Sequence, residues 1–197
     1  MNISFSGSSY SGKTYTINRL QKDFKDIITY DEIIRSKSIK SIDEIRKDAQ
    51  EYLKLQREIV IGKMIQEKNA DKNKLNLFDR SLADSLYYGM IYLDSNTLKD
   101  EYYSYISNIV SRIKSFRNNI DKVFFFEPLE IPDDLNDDYR PVELKLKQQQ
   151  ECNTIYTLNC LIYGFDNIIR VNSMDYEKIY SIIKLFLEKK YENNKTS

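Results

Sequence analysis

Apolar and polar positions along the chain alternate between short apolar runs of strand length and longer stretches with helical period. The apolar runs predict strands over Asn2–Ser6, Ile27–Tyr30, Leu75–Phe78, Lys122–Phe126 and Ile168–Val171. Between them the pattern predicts helices over Lys13–Lys22, Ser41–Lys68, Leu82–Leu93, Leu98–Phe116, Val142–Tyr163 and Tyr176–Tyr191. The long second helix carries an apolar stripe of Ile42, Ile45, Ala49, Tyr52, Ile59 and Met64. Ser41, with Glu44 three residues on, reads as its capping box.

Strands that are each separated by helix, and that read as near-continuous apolar runs, belong to a parallel sheet covered on both faces. Its crossovers are expected to be right-handed. With 197 residues, no repeat and no linker-like stretch, the chain is expected to form one domain over residues 1–191, followed by a polar tail over 192–197. All three prolines fall between Pro128 and Pro141, among Asp133, Asp134, Asp137 and Asp138, so this stretch reads as a mobile, lid-like loop.

Charge adds a constraint. Lys plus Arg and Asp plus Glu both number 30, and a protein that tracks nucleic acid usually shows a basic excess, so nucleic acid is not the expected partner. No apolar run approaches bilayer length, and Met1-Asn2-Ile3 leads directly into a strand, so neither a membrane span nor a signal peptide is expected and the cytoplasm is the expected location. Cys152 and Cys160 are eight apart in one predicted helix, roughly 12 Å along its axis, and read as reduced thiols. The chain has no histidine, which excludes Ser-His-Asp triads and leaves acid–base work to a carboxylate, Lys or Tyr.

Candidate chemistry begins at the end of the first strand. Gly7-Ser8-Ser9-Tyr10-Ser11-Gly12-Lys13-Thr14 satisfies G-x-x-x-x-G-K-[ST], between a predicted strand and a predicted helix. The glycines let successive N–H groups point inward as an anion nest, and the following helix adds its positive end. Lys13 is expected to reach the β- and γ-phosphates of a nucleoside triphosphate, and the Thr14 hydroxyl to ligate Mg²⁺. A Ras-type GTPase would need N-K-x-D and D-x-x-G, and neither is present.

Three further stretches resemble the small P-loop kinases of nucleosides and nucleotides, closest to the AAA-type branch that includes nicotinamide riboside kinase and phage-encoded P-loop ATPases. Asp79-Arg80-Ser81 is similar to their D/E-R-S signature and continues with an acid and aromatics, here Asp84, Tyr87 and Tyr88. Phe124-Phe125-Phe126-Glu127-Pro128, followed by an acidic loop ending in Tyr139-Arg140-Pro141, resembles their fourth strand and lid. Asp31-Glu32 sits where several such kinases keep the base for the acceptor hydroxyl. The resemblance spans residues 1 to 172 and implies a three-layer α/β/α sandwich of the P-loop NTPase, nucleotide-kinase-like class. It also implies ATP and Mg²⁺ as cofactors.

Phosphoryl transfer needs positive charge on the moving group and in-line placement of the acceptor. Lys13, Arg80 and Arg140 are the expected sources of that charge, with Lys145 and Lys147 near the last. Asp79 is expected near Mg²⁺, with Glu127 its competitor. Asp31 is the candidate base, with Glu32 close behind. Tyr87, Tyr88, Tyr102, Tyr103 and Tyr105 read chiefly as core and rim, with base stacking as the other reading. The expected activity is ATP- and Mg²⁺-dependent transfer to a nucleoside, nucleotide or related small metabolite. A nucleotide-gated interaction protein with little turnover and a polynucleotide 5′-hydroxyl kinase are the alternatives, and a homodimer is compatible with the sequence.

Overall fold

The computed structural model describes residues 1–8, 11–36, 45, 47–93, 99–111, 116–127, 145–172 and 175–195. They form β1 (Asn2–Gly7), α1 (Lys13–Asp23), β2 (Ile27–Tyr30), a single-turn α2 (Ile33–Ser36), α3 (Ala49–Asn69), β3 (Leu75–Asp79) and α4 (Leu82–Leu93). There follow α5 (Lys99–Val110), β4 (Lys122–Phe126), α6 (Lys145–Tyr163), β5 (Ile168–Val171) and α7 (Tyr176–Lys195).

The sheet is five-stranded and parallel throughout, in the order β2-β3-β1-β4-β5. The most apolar runs, β3, β1 and β4, thus become the buried central strands, while β2 and β5 form the half-buried edges. Alternation along β1 sends Ile3 and Phe5 to one face, where Ile17 and Leu20 of α1 and Ile179 and Ile183 of α7 cover them. On the other face Phe78, Val123 and Phe125 pack with residues of α3, α4 and α6, among them Val60, Leu86 and Ile155. This is the expected three-layer sandwich.

Topology puts β1 at the centre, with β3 on one side and β4 on the other. Phe5 is in register with Asp79, and Gly7 with Phe126. Both neighbours therefore end beside the loop that leaves β1, in the crevice where open α/β sheets bind ligands.

The larger departures from expectation fall at three helix limits. The α3 helix begins at Ala49, not Ser41, because Asp48 caps it, accepting from the N–H groups of Gln50 (2.9 Å) and Glu51 (3.1 Å). The expected cap at Ser41 and Glu44 lies outside the described residues. The α5 helix ends at Val110, and Phe116 is buried in a separate turn closed by Asn119 N–H on the Phe116 carbonyl, 2.9 Å. The α7 helix continues to Lys195, through most of the expected polar tail. That stretch contains neither Gly nor Pro to stop it. Cys152 and Cys160 are free thiols.

Candidate active site

The loop between β1 and α1 opens on Gly7, at φ 124°, and closes on Gly12, at φ 88°, both in the left-handed region that disfavours side chains. Space reinforces the need for glycine at both ends. A Cβ on Gly7 would lie 2.1 Å from the Phe126 carbonyl oxygen, and one on Gly12 would lie 2.6 Å from the Tyr176 ring. Gly12 caps α1 without a side-chain bond, so the first N–H groups of the helix retain their capacity for an anion. Ser9 and Tyr10 lie outside the described residues.

Lys13 is buried, and its ammonium donates to the carbonyls of Gly7 (3.1 Å) and Ser8 and to Ser11 Oγ (2.9 Å). Burial, seconded by the Arg80 charge, lowers its pKa from the usual lysine value to about 7. The Thr14 hydroxyl, in the first turn of α1, donates to Asp79 Oδ2 at 3.0 Å.

Arg80 follows with φ 78°, uncommon for a non-glycine residue, at the turn from β3 into α4. Its backbone N–H is held by the Phe5 carbonyl at 3.0 Å. Its guanidinium is buried and reaches back to the loop: Nη1 donates to the Gly7 carbonyl (2.8 Å), Asp84 Oδ1 (3.2 Å) and the Tyr88 hydroxyl (3.3 Å). Nε lies 3.5 Å from Glu32 Oε1. Burial opposes the charge, but Tyr88, Glu32 and Asp84 outweigh it and the guanidinium pKa rises.

The two acids of the β2 exit separate. Asp31 is exposed and offers its backbone carbonyl to Gln66 at 3.5 Å, whereas Glu32 is turned inward onto Arg80. The two acids at the strand ends separate as well. Asp79 meets Thr14, while Glu127 accepts from Arg170 Nε at 2.6 Å, at the end of β5. Arg140 lies outside the described residues.

Of the tyrosines, Tyr102 is buried, with its hydroxyl on the Leu86 carbonyl (3.3 Å) and its ring against Gly89, and Tyr87 is buried in the same core. Tyr88 turns to the crevice instead. Its ring lies 5.2 Å from the Arg80 guanidinium carbon and its hydroxyl donates to Glu151 of α6. Burial raises the Glu151 pKa against the pull of Tyr88, Arg80 and Lys13. Tyr88 stands out with Asp84 in the sequence, and the four-residue spacing puts these two on one face of α4. Glu151 carries no such signal.

Among the described residues, no group of three or more Cys, Asp or Glu could hold a metal by itself. Thr14 and Asp79 fit a Mg²⁺ that takes most of its ligands from water and phosphate. No helix among them is long and apolar enough to cross a membrane.

A left-handed glycine loop opening a helix, with the 2-3-1-4-5 parallel order and an arginine at the adjacent strand end, defines a P-loop protein with the kinase-like fold. A family model described as an AAA domain matches residues 2–178, and the chain belongs to that family. Among solved structures it is similar to deoxyadenosine kinase from M. mycoides with bound dATP, at 16% identity over 95% of this chain and 100% of that one, TM-score 0.59. It is also similar to the NadR protein in complex with NR, at 13% identity over 92% of this chain, TM-score 0.60, spanning 50% of that longer chain. No curated protein matches it.

Proposed function

We propose that the chain is a kinase that transfers the γ-phosphoryl group of ATP to a hydroxyl of a nucleoside or related small metabolite. The observation that carries this reading is Arg80. A charged guanidinium is fixed between the phosphate loop, through the Gly7 carbonyl, and the carboxylate of Glu32. Transfer through a loose transition state needs such a fixed positive charge beside the moving group more than it needs covalent help.

Lys13 leaves the loop carbonyls for the β- and γ-phosphates, and the glycine loop with the start of α1 supplies N–H donors. Thr14 and Asp79 would hold Mg²⁺, which when bound neutralises charge on the phosphate oxygens. Glu32, rather than Asp31, takes the role of base, because it is the acid beside Arg80. Arg80 lies next to both the phosphate loop and the base.

The Arg80 fork is engaged by carboxylates and a carbonyl, which suits an uncharged hydroxyl better than a second phosphate. The solved relatives bind dATP and NR, which supports a nucleoside-like acceptor. The reading treats residues 1–191 as one cytoplasmic catalytic unit.

The test is purified protein with γ-labelled ATP, Mg²⁺ and pooled nucleosides, nucleoside monophosphates and nicotinamide riboside. A labelled product, lost in Lys13→Ala and at least about a hundredfold slower in Arg80→Ala, is expected. No product despite ATP binding that Lys13→Ala weakens would overturn the reading in favour of a nucleotide-gated binding protein. In a parallel reaction with a 5′-hydroxyl oligonucleotide, label on that oligonucleotide alone would make the acceptor a polynucleotide 5′-hydroxyl.

A further inference from the structure

Asp84, in the first turn of α4, has a fully buried carboxylate on which several donors converge. Part of its environment is an ordinary helix start. Oδ2 accepts from Ser81 N–H (2.9 Å) and Ser81 Oγ (2.7 Å), and Asp84 N–H returns to Ser81 Oγ at 3.4 Å, which is a capping box. A cap needs no more than that.

The rest of the carboxylate crosses to another element. Oδ1 accepts from the backbone N–H of Gly7 (3.1 Å) and from Arg80 Nη1 (3.2 Å), while Oδ2 also takes the Ser6 hydroxyl (2.5 Å). Arg80 Nη1 donates in turn to the Gly7 carbonyl at 2.8 Å, so Gly7, Asp84 and Arg80 form a closed ring. A second strut enters from α6, where Asn159 Nδ2 donates to Ser6 Oγ at 2.7 Å. Both backbone polar groups of Gly7 are therefore fixed to the arginine of the neighbouring strand end, the carbonyl directly and the N–H through the Asp84 carboxylate.

We propose that Asp84 is a positioning residue, setting the distance between the phosphate loop and Arg80 and hence the approach of acceptor to γ-phosphate. The proposal rests on the kinase reading of the site. Geometry of this kind matters because small misplacements of reacting groups cost on the order of a hundredfold in rate. The charge matters as well, since Asp84 is the buried counter-ion that faces Arg80 from its own helix, with Glu32 facing it from the β2 side.

The experiment compares Asp84→Asn, Asp84→Glu and Ser81→Ala with the wild-type chain, reading thermal midpoint, MgATP affinity, kcat and acceptor KM. Ser81→Ala removes half of the cap and a 3.2 Å bond to Ser6 Oγ but leaves Asp84 on Gly7 and Arg80, so it should lower the midpoint with kcat and MgATP affinity within about threefold. Asp84→Asn can keep one oxygen for the cap but turns an amide toward two donors. It should lower kcat at least about thirtyfold with the acceptor KM within about threefold, and weaken MgATP binding about tenfold.

Asp84→Glu is the sharper variant, because Glu serves a capping box well but moves the carboxylate by one methylene. It should lower the midpoint no more than Ser81→Ala does, the cost of one methylene in a closed site, and still lose most of kcat. An Asp84→Glu protein of normal activity, or an Asp84→Asn protein that behaves like Ser81→Ala, would reduce Asp84 to a helix cap and overturn the proposal. Should Asp84→Asn fail to fold, Asp84→Glu decides alone. A wild-type chain without turnover would sink the kinase reading instead, and MgATP affinity would still report whether Asp84 holds the loop.

Discussion

The two strands that flank β1 make an instructive pair. Both β3 and β4 are apolar, parallel to β1 and end in an acid beside the phosphate loop, yet the two ends are built differently. At the β3 end Asp79 meets Thr14, and the chain turns through a left-handed Arg80 whose side chain folds back onto Gly7 and Asp84. At the β4 end Glu127 turns to the neighbouring strand and pairs with Arg170, whose side chain is 60% exposed. An acid closing an apolar strand therefore does not by its position alone reach the helix that follows the phosphate loop. What separates the two is the partner on β1's own helix and the residue that follows the acid.

The largest effect that would test this contrast is on catalysis. Asp79→Asn is expected to lower kcat/KM by roughly a thousandfold, and Glu127→Gln by less than about threefold, in a Mg²⁺-dependent phosphoryl-transfer assay. Equal losses would break the comparison and return Glu127 to the site. Next comes the acid that faces the β3 end. Glu32→Gln should cost about a hundredfold in kcat, the low end for a general base because a loose transition state asks little of it, while Asp31→Asn stays within about threefold. The reverse order would make Asp31 the base.

The smallest effect is a pH dependence. Lys13 titrates near 7 while it lies on the loop carbonyls, and phosphate favours its charged form. Triphosphate binding therefore takes up a proton above that pH. Affinity should be flat below about pH 7 in this term and fall by up to about tenfold per unit above it, by proton linkage. Calorimetric titrations from pH 6 to 9 would show it, and Lys13→Met should remove the slope along with most of the affinity.

Much of the scaffold was legible along the chain. The limits of β2, β4, α4 and β5 coincide with the residues that periodicity and turn signals predict, because each is a largely apolar run bounded by polar or turn-forming neighbours. The start of α3 was not legible, since Asp48 and Ser41 are both good caps and sequence does not rank them. The lid arginine, Arg140, lies outside the described residues.

The site divides along the same line. Gly7, Gly12, Lys13 and Thr14 were determined by sequence, because a phosphate loop is local: its glycines, its lysine and its helix start are contiguous, and their spacing is their geometry. Only the tertiary structure put Asp79 on Thr14 and Glu127 on Arg170, turned Glu32 inward and Asp31 outward, and gave Asp84 partners 77 and 78 residues away in Gly7 and Ser6. Those choices depend on strand order and on which lone pairs remain after local caps are satisfied, and neither quantity is written in the neighbours of a residue along the chain.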